Sequence, residues 1–304
     1  MTVRLHPTGL TWRQLWRQSE TALADPVQTR WLLEEASGLD AATLLREIDQ
    51  VAPRSAAERL EAMVNRRVAG EPLQHVLGHW GFRHLDVAVD SRVLVPRPET
   101  EHVVTVALTE LDRLAALQRE AEPTRADPLA SAMLAVDLGT GSGVIALSLA
   151  AERHGVRVIA TDRDPDALAV ASSNLAALPA GAAARVELRL GDWFEALPAD
   201  RAGRIDLIVS NPPYLAENEW SRLDPTVRDF DPVGALVAGP TGLEDIAAIL
   251  SRAPGWLGWH GSVVLEIAPQ QAEAAVDLAK GAGLGVARVE QDLAGRPRVL
   301  VAGR

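Results

Sequence analysis

Two short stretches hold residue types whose spacing suits chemistry. The first is Asp137-Leu-Gly-Thr-Gly-Ser-Gly143, in which Gly139, Gly141 and Gly143 alternate with Thr140 and Ser142. Glycines at alternate positions let the backbone pass close to a ligand, and a helix beginning directly after them offers its free N–H groups. Asp162 lies 21 residues beyond Gly141, at the end of a strand-like run, where a carboxylate can accept both hydroxyls of a ribose. The spacing departs from the dinucleotide pattern Gly-x-Gly-x-x-Gly, because Val144 stands in the place of the last glycine. These residues point to a nucleoside-containing cofactor and no further, and a plain glycine turn would read the same way. The second stretch is Asn211-Pro212-Pro213-Tyr214, which contains the only tyrosine of the chain. Consecutive prolines fix φ, remove backbone donors and leave carbonyl oxygens at set angles. Asn211 adds a side-chain carbonyl and Tyr214 a flat ring. Together they suit a planar group bearing an NH2, with acceptors for its hydrogens and a face to stack on. An amide and a nucleobase amino group both fit that description.

Both stretches need a scaffold that brings them to one place. From Met133 onward, β-like and helical patterns alternate. Strands are expected at 134–138, 156–161, 186–190, 205–209, 262–267, 285–290 and 299–302, with helices at 144–153, 165–178, around 243–251 and at 270–281. Such an order implies a mostly parallel sheet with helices on both faces. The last two strands, separated only by 292–298, must pair antiparallel. The fold expected is α/β: an open, doubly wound, mostly parallel seven-stranded sheet. Ligands in such sheets sit beyond the carboxyl ends of the strands where the strand order reverses, which would put the glycine turn and Asn-Pro-Pro-Tyr on two sides of one crevice.

Upstream, the first 70 residues read as a small helical unit. Asp25-Pro26 is an N-cap followed by proline at the first helical position, Gly38 ends that helix, and Ser55 with Glu58 spells a capping box. Trp12, Trp16 and Trp31 supply core volume. Such a unit either stabilises the fold or docks a partner. Val87, Val89, Val93 and Val95 alternate around Asp90-Ser91, which predicts a hairpin within 74–96. A long helix over 100–119 and a loop over 120–131 follow. His75, His79 and His84 lack paired carboxylates at ligand spacing and read as hairpin surface instead of a metal site. Arg97 and Glu99 either shape a site wall or form an ion pair, and Trp256 and Trp259 read as packing.

Composition narrows the classes. The 304 residues have room for about two domains. The absence of cysteine excludes a disulfide framework, a thiol nucleophile and thiolate-ligated metals. A net charge of −11 argues against a partner that is mainly phosphate backbone, because nothing supplies a broad cationic field; Lys280 is the only lysine and the other 29 cations are arginines. The first 16 residues carry no signal-peptide core, and the longest nearly apolar run, 144–151, is too short for a membrane span. A soluble cytoplasmic protein is expected.

The motif Asp137–Gly143 together with Asn211–Tyr214 resembles the S-adenosylmethionine-dependent class I methyltransferases that modify amino or amide nitrogen. Longer stretches narrow this: Val93-Leu-Val-Pro-Arg-Pro-Glu-Thr-Glu101, Gly191-Asp-Trp-Phe194, Val227-Arg-Asp-Phe-Asp-Pro232 and Ala235-Leu-Val-Ala-Gly239. With the helical unit and Gly70-Glu-Pro-Leu-Gln74, they resemble the protein-(glutamine-N5) methyltransferases of class 1 peptide chain release factors over nearly the whole chain. His84, where a glycine is expected, and the long 120–131 segment depart from that pattern without touching the motifs. The resemblance implies a helical docking domain at 1–73, a hairpin connector at 74–96 and a catalytic domain of class I methyltransferase type at 97–304. It implies S-adenosylmethionine as cofactor, released as S-adenosylhomocysteine, and no metal. Gly139, Thr140, Gly141, Ser142 and Gly143 would cradle the methionine part, Asp162 the ribose, and Trp193 would pack near the adenine, with Asn211 also beside the cofactor. Asn211, Pro212, Pro213 and Tyr214 would hold the substrate glutamine, and Asn211, Pro212 and Tyr214 would carry catalysis. The implied target is the glutamine of the Gly-Gly-Gln motif of release factors, in support of translation termination. Neither nucleic acid nor membrane is expected to bind directly, and a monomer is expected.

Overall fold

The computed structural model describes residues 9–121 and 132–304. The first residues of the chain and most of the expected 120–131 loop therefore lie outside the described residues. The described chain divides into two compact units: residues 9–79 with 224–230, and residues 80–223 with 231–304.

The first unit is helical. Helix α1 (Trp12–Leu23) opens on a capping box between Thr11 and Gln14. Helix α2 (Pro26–Ser37) is capped by the Asp25 side chain, which accepts from the Val27 and Gln28 N–H groups, and closes on Gly38 at φ +69°. Helices α3 (Ala41–Arg46), α4 (Arg54–Val68) and α5 (Leu73–Leu77) follow, and residues 224–230 return the short helix α10 (Pro225–Arg228). Trp12, Leu15, Leu32, Leu33, Leu44, Leu60 and Val64 are buried, whereas Trp16 and Trp31 are only half-buried. The capping box expected at Ser55 and Glu58 does not form. Pro53, with its φ fixed, turns the chain into the helix at Arg54, so Ser55 already lies inside the first turn. Glu58 instead accepts from Arg54 Nε at 2.8 Å. His75 is buried on α5 and so does not belong to a hairpin surface; His79 Nε2 lies 3.2 Å from Glu35.

The second unit begins within a hairpin of β1 (His79–Phe82) and β2 (Leu85–Ala88). Its turn is Arg83-His84, with Arg83 at φ +52°, and not the expected Asp90-Ser91. Val87, Val89, Val93 and Val95 are all buried, as their alternation demands. After Ala88, however, the chain leaves the ladder into a local turn, in which Asp90 accepts from the Arg92 N–H through its side chain (3.0 Å) and from the Val93 N–H through its carbonyl (3.1 Å). Arg83 holds its unusual conformation because its guanidinium forks onto Glu152 at 2.7 and 2.8 Å.

Helix α6 (Pro98–Ala121) leads to the sheet and runs through Glu120, where a loop was expected. Strand β3 (Met133–Leu138), helix α7 (Val144–Glu152), strand β4 (Val156–Asp162), helices α8 (Pro165–Ala177) and α9 (Ala180–Ala183), strands β5 (Val186–Leu190) and β6 (Ile205–Ser210) follow in order. A two-stranded parallel ribbon, β7 (Leu215–Ala216) with β8 (Val237–Gly239), has no counterpart in the sequence expectations. Helix α11 (Glu244–Trp256), strand β9 (Leu257–Glu266), helix α12 (Ala272–Gly281) and strands β10 (Val286–Gln291) and β11 (Pro297–Gly303) complete the unit. The seven-stranded sheet has the order β10-β11-β9-β6-β3-β4-β5. Strand β11 runs antiparallel to both neighbours, and the remaining pairs are parallel.

Alternation along the strands builds two apolar layers. Ala135, Val158, Leu207 and Val264 meet α6, α7 and α8 on one face. Val136, Ile159, Ile208 and Leu265 meet α11 and α12 on the other. One buried polar residue spans several elements. Asn174 on α8 accepts from the Ala88 N–H at 2.7 Å and donates to the carbonyls of Ala88 (3.1 Å) and Ser142 (2.9 Å). It thus ties the hairpin and the glycine turn to the same helix. Asn174→Ala leaves those buried groups unpaired and should lower the free energy of unfolding in urea by about 1–3 kcal/mol. An unchanged denaturation midpoint would remove Asn174 from that role.

Candidate active site

Strands β3 and β6 are parallel neighbours, with Ala135, Val136 and Asp137 opposite Leu207, Ile208 and Val209. The strand order reverses between them, since β4 and β5 lie beyond β3 while β9 lies beyond β6. Ser210 Oγ donates to the Leu138 carbonyl at 2.6 Å and locks the two carboxyl ends together. The loops leaving those ends enclose a cleft of about 190 Å3. Gly139, Thr140, Gly141, Ser142, Asp162, Trp193, Asn211 and Pro213 all line it. Most of the residues singled out from the sequence therefore meet in one place.

The glycine turn is held from below by Asp137. Its Oδ2 accepts from Thr140 Oγ1 at 2.6 Å and from the Ala146 N–H at 3.1 Å. The Thr140 N–H donates to Thr161 on β4 at 2.9 Å. Gly139 and Gly141 both lie in the left-handed region, at φ +69° and +56°. A Cβ on Gly139 would sit 3.2 Å from the Trp193 ring, so the backbone and the indole approach across the cleft floor. Gly143 has a different task and is not among the lining residues. It caps α7 at φ +89°, where a Cβ would press on Leu147 at 3.2 Å.

Asp162 Oδ2 accepts from the Gly141 N–H at 2.8 Å and Oδ1 from the Asp164 N–H at 3.0 Å. Each oxygen keeps a further lone pair, and Asp162 lines the cleft. Burial raises the Asp162 pKa, while these two N–H groups pull it back. Trp193 adopts φ +43°, an uncommon value for a tryptophan. The tight turn before it requires Gly191, whose Cβ would lie 2.8 Å from that of Ala196.

Pro212 and Tyr214 are not among the lining residues. Pro212 is buried, and Tyr214 is half-buried with its ring against the α11–α12 layer. The Tyr214 carbonyl accepts from Gln271 Nε2 at 2.9 Å, and its hydroxyl is pushed up to about 12 by burial, with Glu266 adding to the effect. Arg97 and Glu99 do not pair with each other. Arg97 bonds Asp231 at 2.6 Å on the cleft wall, and Glu99 bonds Arg296 at 3.2 Å.

Residues 12–78 match the PrmC N-terminal domain, and residues 126–224 match the Methyltransferase small domain. The release factor glutamine methyltransferase of Cereibacter sphaeroides is 42% identical over 90% of this chain and 89% of its own. That of Xylella fastidiosa is 37% identical over 92% of this chain and 94% of its own. The chain belongs to the release factor glutamine methyltransferase family. The catalytic domain of hMettl16, solved in complex with the MAT2A 3'UTR hairpin 6, shares the fold at 15% identity, with a TM-score of 0.51 over 82% of this chain and 80% of that one.

Sequence reasoning passed over two buried groups beside the cleft. Thr100 Oγ1 donates to Glu266 Oε2 at 2.7 Å, and Asn211 Nδ2 donates to Thr100 Oγ1 at 3.2 Å. A signal for Glu266 was present, because an acid interrupts the otherwise apolar run 263–267. Among the described residues, no cluster of His, Asp and Glu could hold a metal ion.

Burial pushes the carboxyls of both Asp137 and Glu266 up to about 7. Between the ordinary carboxylate range near 4 and about 7, the folded chain thus keeps protons that the unfolded chain has lost. Stability should fall as the pH rises through that window, by up to about 1.4 kcal/mol per pH unit for each group. Asp137→Asn cannot ionise, so urea unfolding followed from about pH 5 to about pH 8 should show a shallower fall in this variant. An identical slope would contradict the assignment.

Proposed function

We propose that this enzyme transfers a methyl group from S-adenosylmethionine to the side-chain amide nitrogen of the glutamine in the Gly-Gly-Gln loop of class 1 peptide chain release factors. The observation that carries this reading is the meeting of the glycine turn, Asp162 and Asn211 in one cleft where the strand order reverses. The cleft residues suit the donor. The backbone at Gly141 borders open space where no Cβ would meet a neighbour, Asp162 presents a carboxylate with spare lone pairs, and Trp193 offers a flat apolar ring. Gly139 to Ser142 cradle the methionine part, with Gly143 starting the helix behind them. Asp162 holds the ribose and Trp193 packs near the adenine.

When bound, S-adenosylmethionine supplies a methyl group on a positively charged sulfur. The chain's own work is to present the nitrogen. An amide nitrogen is a poor nucleophile because its lone pair is delocalised. The Asn211 side-chain oxygen on the cleft wall accepts one of its N–H bonds. The carbonyl of Pro212, a residue buried behind that wall, takes the other where the substrate reaches past Asn211, so that the two aim the lone pair along the transfer axis. Orientation of this kind is worth about 7–11 kcal/mol in favourable cases. The lone pair would form the new N–C bond as the methyl's bond to sulfur breaks and a neutral thioether leaves. One N–H proton becomes acidic only as the N–C bond forms and would pass to solvent, so no strong base is required beforehand. Pro213 and Tyr214 hold the wall behind Asn211.

The helical domain, residues 1–73, docks the body of the release factor, while 74–96 link it to the catalytic residues 97–304. The net charge of −11 favours a protein substrate over a nucleic acid one. Among the described residues no helix is long and apolar enough to cross a membrane. The enzyme acts in the cytoplasm as a monomer.

Incubation with donor and intact release factor should add the mass of one methyl group to the loop glutamine, read by mass spectrometry. The isolated Gly-Gly-Gln peptide should react far more slowly, because it lacks the remote contacts that position the amide. Methylation of RNA or DNA in place of the release factor would overturn the reading. Asp162→Ala should weaken donor binding by about 10- to 150-fold, since one charge-assisted hydrogen bond is worth about 1.5–3 kcal/mol. Calorimetric titration measures this, and an unchanged affinity would take Asp162 out of the cofactor site. Asn211→Ala should bind donor nearly as well but turn over about 10²- to 10³-fold more slowly, the usual loss for one preorganised polar group. Retained turnover in that variant would remove Asn211 from the amide site.

A further inference from the structure

Asn211 is joined to a buried carboxylate through a single hydroxyl. Thr100 Oγ1 lies 2.7 Å from Glu266 Oε2 and 3.2 Å from Asn211 Nδ2. Both Thr100 and Glu266 are buried, and Thr100 and Asn211 also line the cleft. A threonine hydroxyl has one hydrogen, and an ionised carboxylate can only accept. The Thr100 hydrogen is therefore committed to Glu266, and only lone pairs remain to face Asn211. The Asn211 amide must turn its NH2 toward Thr100, so its carbonyl oxygen points the other way.

We infer that Glu266, acting through Thr100, is a positioning residue that sets the orientation of the Asn211 amide and so selects a substrate amide over a carboxylate. The inference rests on the glutamine-methylation reading above. With its oxygen outward, Asn211 accepts from an amide N–H. The reversed amide would present NH2, which clashes with an amide donor and favours a carboxylate. The polarity of the relay is thus what makes the site a site for glutamine and not for glutamate.

The relay reverses when Glu266 is protonated, because the acid can then donate to Thr100 and release the hydroxyl hydrogen toward Asn211. Four neighbours act on Glu266: Thr100 and Glu99 from α6, Tyr214 from the loop after β6, and Arg298 from β11. Burial outweighs Thr100, Arg298 and Tyr214, which favour the charge, and holds the carboxyl at about 7. The productive orientation therefore gains population as the pH rises through that value.

Thr100→Val keeps the shape of the side chain and removes the relay, whereas Thr100→Ser keeps the hydroxyl. With release factor as substrate, Thr100→Val should lose about 10- to 100-fold in kcat. Its KM, set by remote contacts, should change by less than about threefold. Thr100→Ser should recover to within about threefold of the wild type. In the wild type, kcat should rise with pH through about 7, and Glu266→Gln should abolish that step. A binding measurement adds a readout independent of turnover: affinity for release factor carrying glutamate in place of the loop glutamine. The wild type should bind it about tenfold more weakly than the glutamine form, and Thr100→Val should lose that preference. Near-normal kcat in Thr100→Val, equal impairment of Val and Ser variants, or a pH step that survives Glu266→Gln would each overturn the relay. If the wild type transfers no methyl group to the release factor, the glutamine-methylation reading falls and the relay with it. If the wild type does and Thr100→Val matches it, only the relay falls.

Discussion

Strands β3 and β6 lie side by side in the sheet, yet the chain reaches one from the other only after building β4 and β5 on the far side of β3. A parallel pair connected in this way ends on a common edge, and the helices after the two strands are driven to opposite faces. Helix α7 packs on one layer and α11 on the other, so the loops in front of them diverge and leave a crevice. The Ser210 hydroxyl bonded to the Leu138 carbonyl keeps that crevice from opening at its root. Each part of the candidate site is a consequence of where this edge lies. The glycine turn, Asp162, Trp193 and Asn211 all stand on loops that leave carboxyl ends of neighbouring strands.

The edge is stabilised by polar groups taken out of water, and their arrangement follows one rule. A buried carboxylate must find donors or keep its proton. Asp137 finds Thr140 and the Ala146 N–H, Asp162 finds the Gly141 and Asp164 N–H groups, and Glu266 finds Thr100. In each case the donor belongs to a loop or helix end that must be held still beside the cleft. The acid therefore acts as an anchor for neighbouring backbone or hydroxyl groups. Its burial raises the pKa in all three cases, because the donors do not make up for the lost water. The rigidity of the site and its sensitivity to protons have the same origin.

Much of the sheet was legible in the sequence because strand alternation and helical spacing are local patterns. Val186–Leu190 was expected with the bounds observed, and the other sheet strands differ at their ends. The misplacements have particular causes. The valine alternation around Asp90-Ser91 reported burial correctly, but a hairpin needs a ladder as well, and the ladder closes at Arg83-His84 through a fork onto Glu152 that lies 69 residues away. Ser55 and Glu58 spell a capping box, but Pro53 enters the helix first. The β7–β8 ribbon, with strands of two and three residues, carries no period to read.

For the site, letters and spacing identified residues that line the cleft, among them Gly139, Asp162, Trp193 and Asn211. They also singled out Gly143, Pro212 and Tyr214, which do not line it, and they missed the residues that hold Asn211 and the glycine turn in place. Gly139, Asp162 and Asn211 announce themselves because their types are costly unless something uses them. Asn174 and Thr100 are ordinary residues on helices, and only the fold reveals that Asn174 reaches Ala88 and Ser142, or that Thr100 reaches Glu266 across 166 residues of chain. The distinction is physical. A group that meets a ligand is constrained by the ligand's chemistry, which is general and leaves a recurring motif. A supporting group is constrained only by the position of its neighbour, and a hydroxyl, an amide or a carboxylate can each meet that demand. Glu266 lies between the two cases: an acid at the end of a buried strand is conspicuous in the sequence, while the single hydroxyl that gives it a direction is not. A positioning residue is therefore defined by the acceptor its buried hydrogen reaches, and only the folded chain brings that acceptor to it.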